Sequence, residues 1–189
     1  YRHLESYYAI GGAGYVCHTI NPRLFPEQII FMINHAEDKW LMIDPMFIPL
    51  IEKIASQISD VKGFIVMGDE GSTKDTTLKN VISYEALIKD ESDQFEWPLL
   101  DERAAMGLCY TSGTTGDPKG VLYNHRATIL HAYALIAPDA MNLSNRDCVL
   151  PVVPLFHVNS WGSPYGAMMV GAKIVYPGPK MADGETLYN

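Results

Sequence analysis

The stretch that decides the fold runs from Lys39-Trp40-Leu41-Met42-Ile43-Asp44-Pro45 to Val61-Lys62-Gly63-Phe64-Ile65-Val66-Met67. Both ends are short apolar runs of strand length, the second rich in β-branched residues. Asp44-Pro45 stops the first, and Phe47 to Ile58 between them carries apolar residues at helical spacing. Two strands joined through a helix are long enough apart to lie parallel, with a right-handed crossover. Working outward towards the N-terminus, Pro26 and Glu27 open a helix through Ala36 with Ile29, Ile30, Met32 and Ile33 on its apolar face. Before it, Tyr15 to Ile20 is a β-rich run closed by Asn21-Pro22. Arg2 to Ile10 reads as an amphipathic helix ended by Gly11, Gly12 and Gly14. The alternation predicts an α/β fold of parallel βαβ units flanked by helices.

Towards the C-terminus, Gly68 to Thr77 is a polar loop and Tyr84 to Lys89 a short helix. The acidic run Asp90 to Glu96, followed by Trp97-Pro98, reads as a connection. Beyond it come a strand (Ala104–Tyr110), a loop of small residues (Thr111–Lys119), a second strand (Gly120–Tyr123) and a helix to about Ala137 capped by Asn124. Cys148 to Leu155 is expected to be a strand, Trp161 to Val170 a helix, and Ala172 to Tyr176 a final strand. Residues 1–97 form a first βαβ unit and 98–189 a second unit, both parts of one larger domain. The chain opens at Tyr1 inside a helix and ends at Leu187-Tyr188-Asn189 as another begins, so it reads as an internal piece of something longer.

Composition narrows the function classes. Of 189 residues 48% are hydrophobic and 19% charged, enough apolar side chain to drive folding, so disorder is excluded. The net charge of −8 repels phosphate backbones, and no cluster of Lys and Arg with interleaved aromatics is present to track a nucleic acid. No run approaches the ~20 apolar residues that cross a bilayer. Cys17, Cys109 and Cys148 are odd in number and widely spaced, as expected of reduced thiols in a cytoplasmic protein rather than of a disulfide framework or a zinc site. Gly12-Ala13-Gly14 precedes a strand instead of following one, so it reads as a helix terminus and not as a dinucleotide fingerprint.

The chemistry is concentrated in Tyr110-Thr111-Ser112-Gly113-Thr114-Thr115-Gly116-Asp117-Pro118-Lys119-Gly120. Glycines let backbone amides turn towards a ligand, hydroxyls donate to phosphate oxygens, and a lysine adds a mobile positive charge. Lys119 is followed by Gly120 and by a strand, so this is not the helix-capped phosphate loop of the Walker type. Such a loop must hold polyphosphate through amides, hydroxyls and Lys119. Taken by composition alone, a polar surface hairpin fits the same residues. Downstream, His157 and Trp161 stand four residues apart and share a face if a helix begins near His157; taken alone, such a pair is better accounted for by core packing.

The string Tyr110–Gly120 resembles the phosphate-loop signature of the adenylate-forming superfamily of acyl-CoA synthetases, peptide-synthetase adenylation domains and luciferases, with Asp117 at the variable position. The resemblance extends to Pro154-Leu155-Phe156-His157-Val158-Asn159 and to Asn21-Pro22-Arg23, and so covers almost the whole chain. The segment from Val149 through Trp161 is most similar to medium- and long-chain fatty-acyl-CoA synthetases.

This resemblance implies a two-step reaction with ATP, Mg²⁺ and coenzyme A: a fatty carboxylate displaces pyrophosphate from ATP, and the acyl-adenylate is captured by the thiol of CoA. It implies that Ser112, Gly113, Thr114, Thr115 and Gly116 wrap the departing phosphates, that Lys119 neutralises them, and that Thr111 approaches the metal. It places His157 beside the carboxylate and α-phosphate, and Trp161 at the mouth of an acyl pocket lined partly by the helix from Trp161 to Val170. The adenine-binding elements, an acidic metal ligand and a C-terminal lysine have no counterpart before Asn189, so the fragment is expected to be inactive alone. A homodimer and peripheral membrane contact are compatible with it. Two alternatives are a ligase for a short, aromatic or sulfur-containing acid, and a non-catalytic phosphate-binding module.

Overall fold

The computed structural model describes residues 1–111, 117–180 and 183–188. In chain order these form α1 (Arg2–Gly12), β1 (Cys17–Thr19), α2 (Pro26–His35), β2 (Trp40–Ile43), α3 (Ile48–Ile54), β3 (Gly63–Val66), β4 (Val81–Ser83) and α4 (Tyr84–Ile88). After an extended connection follow β5 (Ala105–Thr111), β6 (Lys119–Asn124), α5 (His125–Ile136), β7 (Cys148–Val149), a single helical turn α6 (Val158–Trp161), α7 (Ser163–Val170), β8 (Lys173–Ile174) and α8 (Gly184–Tyr188).

The deciding stretch folds as its pattern predicts. β2 pairs with β3 in parallel, Trp40 opposite Gly63 through Ile43 opposite Val66, and β3 pairs in parallel with β4. Pro26 occupies the first turn of α2, where its missing N–H is no loss, and Gln28 Oε1 accepts from the Phe25 amide at 3.3 Å. The apolar faces of α2 (Ile29, Met32, Ile33) and α3 (Ile51, Ile54) meet Leu41, Ile43, Phe64 and Val66 in one buried cluster. Each such side chain contributes about 1.5–3 kcal/mol by leaving water. The helix expected from Phe47 to Ile58 is α for only Ile48–Ile54, with 3₁₀ turns at Pro45–Phe47 and Ala55–Gln57 on either side.

A second ladder carries the loop. β1 runs parallel to β5, Cys17 opposite Gly107 and Thr19 opposite Cys109, across the 97/98 junction; β6 returns antiparallel along β5, Thr111 opposite Lys119. Asn124 Oδ1 accepts from the Ala127 amide at 2.8 Å and starts α5 at the expected place. α1 is fastened over the first unit by Arg2, whose guanidinium lies 2.7 Å from both Glu85 and Asp69, and by Glu5, which accepts from the Tyr84 hydroxyl at 2.8 Å.

Three expectations are corrected. Gly11 and Gly12 lie inside α1, not after it; a Cβ on Gly12 would sit 2.6 Å from the Trp97 ring, so this glycine seats the tryptophan. The strand expected from Cys148 to Leu155 stops at Val149, because Pro151 and Pro154 lack the amides that a ladder needs. The helix expected from Trp161 starts at Ser163, with Pro164 in its first turn.

Candidate active site

The stem of the loop is the end of the β5–β6 hairpin, where Tyr110 faces Gly120 and Thr111 faces Lys119. Ser112, Gly113, Thr114, Thr115 and Gly116 lie outside the described residues. Thr111 and Lys119 present exposed side chains, and among the described residues the Thr111 hydroxyl makes one long contact, 3.5 Å to the Lys119 carbonyl. On Gly120 a Cβ would come within 3.2 Å of the Tyr110 ring, so the absent side chain makes room for that ring. The Tyr110 hydroxyl lies 2.6 Å from His35 Nδ1 at the end of α2. Burial, and secondarily the Asp38 carboxylate, raise the Tyr110 phenol above its ordinary value and keep it neutral.

His157 arrives from the other side of the ladder on an irregular segment held by side chains of α1 and β1. The Tyr7 hydroxyl donates to the Leu155 carbonyl at 2.6 Å and lies 3.3 Å from Asn159 Oδ1. Thr19 Oγ1 makes longer contacts, 3.5 Å to the Phe156 carbonyl and 3.4 Å to Asn159 Oδ1. Burial above all holds the Tyr7 phenol far above its usual range, so it is a permanent donor. Thr19 pairs with Cys109, two residues before Thr111, a distance of about 7 Å along an extended strand. The segment that carries His157 and the stem of the loop therefore both lie towards the carboxyl ends of the parallel strands β1 and β5, where open α/β sheets bind their ligands.

The backbone after His157 turns the unusual way. Val158, Asn159, Ser160 and Trp161 have φ of 48°, 50°, 51° and 57°, and Gly162 follows at 72°. Left-handed backbone costs roughly 1–2 kcal/mol for each residue that carries a Cβ. The offsetting contacts are specific: Ser160 Oγ donates to the Val153 carbonyl at 2.8 Å, Ser163 Oγ reaches Ser160 Oγ at 3.2 Å, and from α5 His131 Nε2 lies 3.0 Å from the Trp161 carbonyl. The right-handed face that His157 and Trp161 were expected to share does not exist. Both side chains are exposed, Trp161 at 58%. Tyr7, Thr19, Asn159 and His131 were not singled out from the sequence as supports of this segment; the separation of 152 residues between Tyr7 and Asn159 leaves no local signature.

An apolar cleft of about 360 Å³ opens beside α7, lined by Tyr8, Ile129, Tyr165, Met168 and Met169. Gly166 brings α7 against α5, since a Cβ there would lie 2.9 Å from Leu135, and the cleft is walled by methionine, tyrosine and Ile129. Methionine's unbranched thioether adapts to varied apolar shapes.

This architecture and site place the chain among α/β proteins that carry a hydroxyl- and glycine-rich loop at the carboxyl end of their sheet. Residues 1–188 match the family described as AMP-binding enzyme, and the chain belongs to that family. It is 56% identical over 186 residues to a medium-chain-fatty-acid–CoA ligase of Ectopseudomonas oleovorans, covering 98% of this chain and 34% of that protein. It is 53% identical over 188 residues to a 3-methylmercaptopropionyl-CoA ligase of Ruegeria lacuscaerulensis, covering 100% of this chain and 35% of the relative. A crystal structure of a long-chain-fatty-acid-CoA ligase from Archaeoglobus fulgidus superposes with a TM-score of 0.79 at 22% identity, over 98% of this chain and 36% of the other, and so shares its fold. The chain spans about a third of the length of the relatives it matches.

Proposed function

We propose that this chain is part of an acid–CoA ligase, and that within a longer polypeptide it helps to activate a medium- or long-chain fatty acid with ATP before thioester formation with coenzyme A. The observation that carries the reading is the string Tyr110–Gly120, whose stem lies at the same end of the sheet as His157. A carboxylate is a poor electrophile, and displacement of pyrophosphate from ATP by its oxygen turns it into a mixed anhydride. Negative charge builds on the leaving phosphates, so donors and a cation placed there stabilise the transition state more than the ground state. Lys119 supplies the cation, Ser112 to Gly116 the hydroxyls and amides, and His157 orients the carboxylate and the α-phosphate.

The exposed Thr111 hydroxyl is a hard oxygen that fits beside Mg²⁺. That ion supplies charge neutralisation of the phosphates when bound. Among the described residues no group of three His, Cys, Asp or Glu side chains is gathered for a metal, so phosphate and water oxygens would complete the shell.

The apolar cleft and the medium-chain relative support a fatty acid as substrate. The near-equal identity to a ligase for a sulfur-containing acid supports a second reading, in which the same loop activates a short thioether acid. Exchange of labelled pyrophosphate into ATP by the complete polypeptide, with acids of increasing chain length and with 3-methylmercaptopropionate, separates them. Exchange that needs an acid and magnesium is expected, fastest with medium or long chains. No exchange with any acid from the folded protein would leave a phosphate-binding module and overturn the ligase.

A further inference from the structure

The two faces of β1 do different work. Thr19 contacts the His157 segment, while the neighbouring His18 points the opposite way, as alternation along a strand requires, into a cluster with Asp38, Tyr110 and His35. The His18 side chain is 5% exposed; its Nδ1 lies 2.8 Å and 3.0 Å from the two Asp38 oxygens, and because a carboxylate only accepts, that nitrogen carries the proton. The ring so fixed stands 5.2 Å from the Tyr110 ring. On another side the Tyr110 ring covers Gly120, and at its tip the hydroxyl is 2.6 Å from His35 Nδ1. His35 is held in turn by stacking on Phe31, with centroids 5.2 Å apart and planes at 23°.

Tyr110 is thus gripped by β1, α2 and β6 together, and it directly precedes Thr111 and the phosphate loop. A loop that must meet departing phosphates to within a few tenths of an ångström needs a stem that cannot twist. The ring alone would serve packing. The hydroxyl and His35 meet at an exposed site, where a hydrogen bond adds little to stability but fixes the angle of the ring.

We propose that Tyr110 and His35 are a positioning pair for the adenylation step: their bond sets the orientation of the Thr111–Lys119 stem from outside the phosphate site. This rests on the ligase reading above.

The test uses the complete polypeptide and the variants Tyr110→Phe, His35→Leu, His35→Asn and the double variant Tyr110→Phe/His35→Leu. Each is measured for thermal midpoint, for kcat and KM in pyrophosphate exchange, and for hydrogen exchange at the Thr111 and Lys119 amides. The expected result is a drop in kcat of about fivefold to twentyfold for Tyr110→Phe and for His35→Leu, with the KM for acid and the thermal midpoint held. The double variant is expected to be no slower than either single one, since both remove the same bond. His35→Asn, which keeps an amide near the position of Nδ1, is expected to recover part of the rate. Rates equal to wild type, additive losses, or a lowered midpoint with normal kinetics would overturn the pair. If the wild type itself exchanges no pyrophosphate, the ligase reading fails separately. The pair is then decided by the amides, whose exchange should quicken in Tyr110→Phe; unchanged protection refutes it.

Discussion

The hydroxyl of Tyr7 on the first helix and the backbone carbonyl of Leu155, 148 residues later, are joined by a hydrogen bond of 2.6 Å. Through it α1 clasps the segment that presents His157. Tyr7→Phe keeps the ring and its edge-on contact with Tyr165, at 5.9 Å between centroids, and removes only the donor. The expected loss is about 1–2 kcal/mol, since a half-buried carbonyl is left unpaired. Urea denaturation monitored by tryptophan fluorescence checks it, and an unchanged midpoint would show that the segment holds itself.

Gly162 sits at φ 72°, and a Cβ there would lie 2.6 Å from the imidazole of His131. Gly162→Ala therefore combines backbone strain with a clash, and is expected to cost about 1–3 kcal/mol. In the double variant Gly162→Ala/His131→Ala the clash disappears while the strain stays, so the combined loss should be smaller than the sum of the two single losses. Strict additivity in urea titrations would mean that His131 does not press on the turn.

Much of this was legible before the structure, and the limits have physical reasons. The alternation around residues 39–67 announced β2 and β3 because short apolar runs bounded by Asp44-Pro45 leave few other readings. β4 was missed: at Val81–Ser83 it is too short for a period to show. The loop string was recognisable as a string, and His157 through its motif. What no local pattern could give was the support around them. Tyr7, Thr19 and His131 reach the His157 segment from distant elements, and the left-handed φ at Val158 runs against the propensity of a β-branched residue.

Lys119 lies at the hairpin stem with its side chain in solvent. Lys119→Ala is expected to leave stability within about 0.5 kcal/mol, as exposed substitutions do. Adenylation by the complete polypeptide should slow by about a hundredfold, the loss typical when one group that stabilises developing charge is removed. Pyrophosphate exchange and a denaturation curve on the same sample give both numbers. Equal exchange rates in variant and wild type would remove Lys119 from the site.

Cys17 is buried between α1 and β5, and burial pushes its thiol up to about 12. Between its ordinary value of 9.0 and about 12 the unfolded chain releases this proton while the folded chain keeps it. Stability from this group is complete below pH 9 and falls as the pH rises towards 12. At pH 8 the folded protein holds no appreciable Cys17 thiolate, so alkylation there is expected to require unfolding. Mass spectrometry after iodoacetamide treatment reads the site directly; rapid labelling of Cys17 in native protein would contradict its burial.

Trp161 ends the left-handed turn with its side chain 58% exposed and its carbonyl held by His131, and the helix that follows lines the apolar cleft with Tyr165, Met168 and Met169. Removing the indole sacrifices little buried surface, so Trp161→Ala should fold normally. If the ring gates the cleft, its loss should move the exchange profile of the complete polypeptide towards longer or bulkier acids while the KM for ATP stays within about twofold, a change worth less than 0.5 kcal/mol. The profile is the decisive quantity, because a tryptophan that only packed would alter stability and leave the order of preferred acids intact. A large rise in the KM for ATP with an unchanged profile would place Trp161 on the nucleotide side of the site and not at the acyl entrance.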